Sequence, residues 1–327
     1  MLEKNLACLI YGSDMHYIDH LAPLSWFLGI PIVVNEVEVE EAICASYPNV
    51  EVIWQDSLNI LPYIIQIFEG VISCFTSNHF QAYFSFFEEQ MQKSLTYIWC
   101  PHGNSDKDNL EALKDEKNIL IYGDQMLARL PKSEQMITHT IGNYRYLYHK
   151  EHSSFYKKWS EGMFKDLPGR PTFLFAPTWE DYENNFSFET ALSLIDQFPS
   201  QYNLIVKFHP NTWSLRELEI ERLIGKYGTD RVLFIRDIYP IYPLIDFVQG
   251  YIGDLSSIGY DFLFFDKALI FSTDKKELPL FECGERLDFS NDFEKFLQSA
   301  LKNKGIFLST KKTLRESAFQ AACLLNK

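Results

Sequence analysis

The sequence lacks paired cysteines and long apolar runs. Its six cysteines are scattered, without a CxxC spacing, and several lie in apolar runs where a free thiol behaves as a small hydrophobic side chain. Because this usage is typical of a reducing compartment, we expect a cytoplasmic protein. No stretch approaches the about 18 consecutive apolar residues of a transmembrane helix, and the apolar run near the N-terminus is too short for a signal peptide. We therefore expect no membrane span.

Basic charge is also scarce. The chain has 30 Lys and Arg against 44 Asp and Glu, which gives a formal net charge of −14. An acidic surface is repelled by nucleic acids and by anionic membrane faces. The composition therefore argues against nucleic-acid binding and predicts peripheral membrane contact at most. It remains compatible with one basic pocket for an anionic small molecule.

No group of His, Cys and acidic residues shows the spacing of a metal site with three or four protein ligands. His16 and His20 lie four residues apart on a predicted helix, and His149 and His152 form a similar pair. No third or fourth ligand accompanies either pair, so we predict no bound metal. Because the first helix follows the first strand, His16 is instead a candidate for the acceptor side of a ligand cleft.

Short apolar runs alternate with amphipathic segments along the whole chain. The apolar runs predict strands at residues 6–11, 31–34, 50–53, 70–74, 95–100, 118–122, 136–141, 172–176, 203–208, 232–235, 250–252 and 268–271. The segments between them predict helices at residues 15–28, 36–47, 58–68, 79–93, 105–114, 188–198, 215–227, 240–247, 258–265, 292–301 and 311–325. This alternation is typical of βαβ units, in which right-handed crossovers cover both faces of a parallel sheet.

The length of 327 residues suits two domains. A segment with Pro and Gly, KDLPGRP, interrupts the pattern and predicts a linker around residues 156–170. We predict an acceptor-side α/β domain over residues 1–160, a nucleotide-donor-binding α/β domain over residues 161–310, and a C-terminal helix over residues 311–327 that packs back on the first domain. The expected fold class is α/β, with two doubly wound Rossmann-like domains that face a cleft.

Polar residues follow several predicted strands at the carboxyl end, where ligands bind in such sheets. In the first half His102 follows the strand LTYIWC; the candidates of the second half are Thr178, His209, Asp254, Ser256 and Ser257. The turn GDLSS ends a strand and opens a helix, so its backbone N–H groups and the helix dipole favour a phosphate. Each residue also has a simpler interpretation, since Ser256 is a common helix cap and a histidine before Gly or Pro is a common turn residue. Their convergence on one edge favours a catalytic cleft.

Five motifs occur in one order with fitting spacing. They are HGxxxK at His102–Lys107, GNYR at Gly142–Arg145, FAPTWED at Phe175–Asp181, VKFHP at Val206–Pro210 and GDLSSIGYDFLFFDKALIF at Gly253–Phe271. This set resembles the CDP-glycerol glycerophosphotransferase family, the teichoic-acid primases and polymerases with a GT-B type fold. The resemblance implies a transferase of cell-envelope polysaccharide biosynthesis.

The resemblance implies transfer of a glycerophosphate-type group from a CDP-activated donor, such as CDP-glycerol, to a hydroxyl of a glycan or polyol acceptor. The implied transfer needs no bound metal and no cofactor besides the donor nucleotide. His102 corresponds to the general base on the acceptor hydroxyl, and His209 to the histidine that contacts the donor phosphates. We assign to the donor phosphates Thr178, Lys207, Asp254, Ser256, Ser257 and Arg145, and to the acceptor side Gly103, His16 and Lys107.

Two alternatives remain open, and no oligomeric state is predicted. The chain departs from the family pattern at Asn104–Asp106 in the first motif and at Glu180 in the third. One alternative is a nucleotide-sugar glycosyltransferase or an epimerase-like enzyme on the same fold. The other is a catalytically silent relative that binds a nucleotide.

Overall fold

The computed structural model describes residues 5–104, 110–179, 188–237, 239–272, 278–287 and 292–320. The chain forms two compact units: unit 1 is Met1–His152 with Ser317–Lys327, and unit 2 is Ser153–Glu316. Each unit contains one parallel β-sheet whose strands alternate with helices along the chain. The predicted fold class, two doubly wound α/β units, is confirmed.

The sheet of unit 1 has the strand order β3-β2-β1-β4-β5-β6-β7, and all its neighbours are parallel. Its strands are β1 Leu6–Ile10, β2 Ile32–Val34, β3 Val52–Trp54, β4 Gly70–Ser73, β5 Thr96–Trp99, β6 Asn118–Ile121 and β7 Ile137–Thr140. Its helices are α1 Ile18–Leu28, α2 Val37–Ser46, α3 Ile60–Ile67, α4 Ser77–Met91, α5 Asp124–Leu127 and α6 Tyr144–Glu151. Every residue of β1 is buried, as expected for a parallel strand that is covered on both faces.

The sheet of unit 2 has the corresponding order β10-β9-β8-β11-β12-β13, again all parallel. Its strands are β8 Thr172–Phe175, β9 Asn203–Val206, β10 Val232–Phe234, β11 Gly250–Gly253, β12 Ala268–Phe271 and β13 Glu285–Arg286. Its helices are α7 Ser153–Met163, α8 Phe188–Gln197, α9 Pro210–Tyr227, α10 Ile241–Phe247, α11 Ser257–Asp261, α12 Phe293–Asn303 and α13 Leu308–Ala318. In both sheets the strand order reverses next to the first strand of the unit, and a doubly wound sheet binds its ligands at this switch point.

The predicted linker around residues 156–170 is wrong over its first part, because α7 occupies that part. Tyr156, Ser160 and Phe164 are buried at a spacing of four residues, which is the spacing of one helix face. The ring of Phe164 stacks on Phe247 of α10 at 4.5 Å, and Ser160 Oγ donates to the carbonyl of Pro243 at 3.3 Å. This segment is therefore part of the packed structure of unit 2.

The two ends of the predicted C-terminal helix differ from the observed one. Helix α13 begins at Leu308 and ends at Ala318. The backbone N–H of Gln320 then donates to the carbonyl of Tyr122 at 3.1 Å, and the ring of Phe319 meets the Tyr122 ring edge-on. The chain thus returns to unit 1 after residue 316, while residues 321–327 of the prediction lie outside the described residues.

The predicted helix at residues 105–114 is described only in part. Residues 105–109 lie outside the described residues, and Leu110–Leu113 forms a short 3-10 helix. Among the described residues, no helix is both long enough and apolar enough to cross a membrane.

Candidate functional site

The switch point of unit 2 lies between β8 and β11, and hydrogen bonds join the loops that follow these strands. The backbone N–H of Thr178 donates to Asp254 Oδ1 at 2.8 Å, and Tyr251 Oη donates to the carbonyl of Ala176 at 3.2 Å. Thr178 and Asp254 are only 3% and 1% exposed. A side chain at Gly253 would overlap the Tyr251 phenol ring, so the close approach requires glycine here. Asp254 thereby fixes the relative position of the two loops.

Ser256 and Ser257 begin α11 at the same edge of the sheet. Ser256 is the N-cap, and its Oγ accepts from the backbone N–H of Ile258 at 3.4 Å. The far end of the helix is anchored by Tyr242 Oη, which donates to the buried Asp261 Oδ1 at 2.7 Å. The capping interpretation of Ser256 is therefore correct, and it is compatible with ligand binding because the capping oxygen still has its own proton to donate.

His209 is the N-cap of α9, and this role fixes its tautomer. Its Nδ1 accepts from the backbone N–H of Asn211 at 3.1 Å, so the proton of the neutral ring is on Nε2. The ring lies beside Trp179, with 6.2 Å between centroids. Because Nδ1 accepts from the helix, the hydrogen-bond donor of the His209 ring is Nε2–H.

These residues lie at the carboxyl ends of three adjacent strands, β9, β8 and β11. Lys207 follows β9, and its backbone N–H donates to the carbonyl of Phe175 at 2.9 Å, which holds the ends of β8 and β9 together. The structure thus brings together the predicted donor-side residues of unit 2, which are Thr178, Lys207, His209, Asp254, Ser256 and Ser257.

In unit 1, His102 lies after β5 among four rings. The ring centroids of Tyr17, His16, His20 and Trp99 lie 5.6, 6.3, 6.5 and 6.5 Å from that of His102. Although His102 is an exposed residue, desolvation by the neighbouring protein atoms, followed by repulsion from His16, lowers the pKa of His102 to about 4. His102 is therefore neutral at pH 7, which is the form that a general base requires.

The predicted acceptor-side residues surround this histidine, except where they lie outside the described residues. Gly103 follows it with a φ of 129°, a conformation that favours glycine. His16 lies in the 3-10 turn after β1, with Nδ1 at 4.0 Å from Asp14 Oδ1. Lys107 lies outside the described residues. The described residues contain no group of three or more His, Cys, Asp and Glu that could hold a metal ion.

Arg145 differs from the other predicted donor-side residues because it lies in unit 1, in the interior. It forms an ion pair with Asp19 across α6 and α1, and Tyr47 Oη donates to the other carboxylate oxygen of Asp19 at 2.8 Å. Arg145 and Asp19 are only 5% and 7% exposed. The geometry therefore gives Arg145 a part in holding unit 1 together.

Sequence reasoning missed three residues around His102. Tyr17 and His20 follow β1, and Tyr122 follows β6. Desolvation by burial, followed by repulsion from Arg145, lowers the pKa of His20 well below its ordinary value. Tyr17 and Tyr122 lie in segments that follow a strand, which is the signal that could have identified them, whereas His20 lies inside α1.

Residues 161–297 match the family model of CDP-glycerol:poly(glycerophosphate) glycerophosphotransferase, and this range lies within unit 2. Unit 2 is therefore similar to this family over most of its length. The resemblance inferred from the motifs is thus confirmed over its second, longer part. No curated protein matches the chain.

Solved structures of similar fold span nearly the whole chain. A structure of the wall teichoic acid polymerase TagF covers 96% of this chain and 84% of its own, with 11% identity and a TM-score of 0.65. Anabaena HepE in complex with UDP-glucose covers 97% and 95%, with 11% identity and a TM-score of 0.54. The S. aureus MnaA–UDP structure covers 96% and 91%, with 14% identity and a TM-score of 0.55. At these identities the likeness is one of fold.

Unit 2 places several hydrogen-bond donors at one edge of its sheet. His209 Nε2–H, the hydroxyls at the start of α11 and the ammonium group of Lys207 all follow neighbouring strands of one sheet. Such donors stabilise the charge on a phosphoryl group during its transfer.

Proposed function

We propose that the protein transfers a glycerophosphate-type group from a CDP-activated donor to an acceptor hydroxyl. The observation that supports this most is the set of donors at the ends of β9, β8 and β11, which lies within the range matched by the glycerophosphotransferase family. Of the TagF structures with a similar fold, two were obtained after soaks with CDPG. The family match favours phosphoryl transfer over glycosyl transfer or epimerisation.

In the proposed reaction the acceptor oxygen attacks the phosphorus that carries the polyol. A new P–O bond forms, the bond from that phosphorus to the bridging oxygen breaks, and CMP leaves with the electron pair. His102 takes the proton of the acceptor hydroxyl. His209, Ser256 and Ser257 stabilise the charge on the donor phosphates.

The acceptor in this proposal is a glycan or polyol, and the donor nucleotide is the only other small molecule required. The reaction takes place without a bound metal. A cytoplasmic location is supported by five cysteines that are free thiols: Cys8, Cys44, Cys74, Cys100 and Cys283.

Incubation with CDP-glycerol and a panel of polyol and glycan acceptors tests the reaction, with CMP release and acceptor modification measured by mass spectrometry. We expect acceptor-dependent CMP release that His102→Gln abolishes while the affinity for CDP is retained. His152→Gln is the matched control, because His152 lies in the same unit and bonds the carbonyl of Tyr148 away from the strand ends. Release of a nucleoside diphosphate from UDP-glucose, or tight CDP binding without turnover on any acceptor, would contradict the proposal.

A further inference from the structure

Tyr122 is held in a fixed position in the interior of unit 1. Its ring is 1% exposed, stacks on Tyr144 with an interplanar angle of 11°, and meets the ring of Phe319 at 5.5 Å. Its backbone carbonyl accepts from the N–H of Gln320. Because both the ring and the backbone are constrained, the phenol hydroxyl occupies a defined point.

That hydroxyl binds the backbone next to His102. Tyr122 Oη donates to the carbonyl of Pro101 at 3.2 Å and lies 3.4 Å from His20 Nδ1. The Tyr122 hydroxyl has a single proton, and it donates that proton to the carbonyl of Pro101. The contact with His20 therefore requires that Nδ1 is protonated and donates to the hydroxyl oxygen. The buried His20 is neutral, so it has one N–H to give. The three groups form a chain of donors that ends at Pro101.

Two further contacts among the described residues hold the turn that carries His102: Cys100 Sγ lies 3.6 Å from the carbonyl of Pro101, and Asn104 Nδ2 donates to Gln125 Oε1 at 3.3 Å. The last sheet bond before this turn runs from the backbone N–H of Cys100 to the carbonyl of Ser73, at 2.8 Å. Pro101 has no N–H to donate, so its carbonyl is the group through which this peptide can be anchored. On the other side of His102, Gly103 leaves the backbone free to rotate. The bond to the Pro101 carbonyl therefore restrains the peptide that directly precedes the imidazole.

We propose that Tyr122 is a positioning residue for His102, and that its hydroxyl, supported by His20, sets the orientation of the imidazole toward the acceptor hydroxyl. The part that concerns the acceptor rests on the proposed function. The part that concerns the imidazole does not, since it follows from the hydrogen bonds of unit 1 alone.

The test compares Tyr122→Phe with Tyr148→Phe. The first variant keeps the ring packing and removes the hydroxyl. The control removes another buried tyrosine hydroxyl that donates to a proline carbonyl, that of Pro48 at 2.6 Å, away from His102. The readouts are the NMR titration of His102, assigned with His102→Gln, and the kcat and KM of CMP release from CDP-glycerol.

We expect Tyr122→Phe to shift the His102 resonances and the midpoint of its titration, because a loosened turn changes the distances from the imidazole to the rings of Tyr17, His16 and Trp99. It should also lower kcat by about tenfold, the factor that one buried hydrogen bond of ordinary strength represents, with KM for the donor unchanged. Tyr148→Phe should change neither quantity. Titration of His102 in Tyr122→Phe as in the native protein would overturn the proposal.

Two further measurements decide the positioning role if the native protein is inactive or if Tyr122→Phe does not fold. If the native protein releases no CMP from CDP-glycerol, the function fails while the NMR titration still decides the positioning role. If Tyr122→Phe does not fold, His20→Ala and His20→Asn replace it. An asparagine amide can occupy the place of Nδ1–H, so His20→Asn should titrate His102 as the native protein does and His20→Ala should not. The same titration curve in both would count against the chain of donors.

Discussion

Substitution of the buried ion pair of Arg145 and Asp19 tests whether Arg145 has a structural role or binds phosphate. Replacement of Arg145 by Met keeps most of the side-chain volume but removes the cationic partner of the buried Asp19 carboxylate, which still accepts from the Tyr47 hydroxyl. Removing one member of a buried pair costs about 3–5 kcal/mol, whereas replacing both members is often close to neutral. We therefore expect Arg145→Met to lower the free energy of unfolding by several kcal/mol, and the double variant Asp19→Asn/Arg145→Met to recover much of the loss.

The assay is urea unfolding of the native protein, both single variants and the double variant, read by circular dichroism, together with calorimetric titration of CDP. The double-mutant cycle should give a large coupling energy, and folded Arg145→Met should bind CDP with native affinity. The reasoning would be refuted by a variant of native stability that has lost CDP affinity. That result would return Arg145 to the donor phosphates, where its motif had assigned it.

Three further predictions concern the strand-end residues. Asp254→Ala leaves the buried N–H of Thr178 without its acceptor, which should lower the free energy of unfolding by about 1–3 kcal/mol and weaken CDP binding. Asp254→Asn keeps an acceptor, so its loss of stability should be smaller. Equal stability of the two variants would contradict this. His102 must be unprotonated to act as a base, and its pKa is lowered, so kcat/KM should fall as pH decreases only below 6.5; an acid limb at or above that pH would contradict it. His209→Asn keeps an N-cap acceptor but loses the Nε2–H donor, so its melting temperature should be native while the stabilisation by CDP in a thermal-shift titration is reduced. Native stabilisation in that variant would remove His209 from the donor site.

The fold was predictable because buried parallel strands appear in the sequence as continuous apolar runs. The observed bounds of the predicted strands lie within two residues of the expected ones. The prediction failed at α7, where the Pro and Gly residues of KDLPGRP suggested a linker that begins too early. There the packing against α10 outweighs the local signal, and the sequence pattern does not record such a partner.

The site was predictable where function follows from position in the sheet, and it was missed where function depends on distant pairs. Thr178, His209 and Ser256 each follow a strand end, so their placement can be inferred from the strand pattern alone. By contrast, Arg145 meets Asp19 across 126 residues, and Tyr122 meets His20 across 102. The sequence pattern describes only residues that are neighbours along the chain. It therefore shows that Arg145 belongs to a motif and that Tyr122 follows a strand, but it does not show which residue either side chain contacts.

The two candidate catalytic histidines lie in different surroundings, and each arrangement suits the task that we propose for it. A phosphate ligand requires an N–H donor, and the N-cap bond of His209 supplies one by occupying Nδ1 and leaving the proton on Nε2. An acceptor hydroxyl requires a lone pair, and the crowded surroundings of His102 supply one by disfavouring the charged ring. In the first case a helix selects the tautomer, and in the second desolvation selects the charge state.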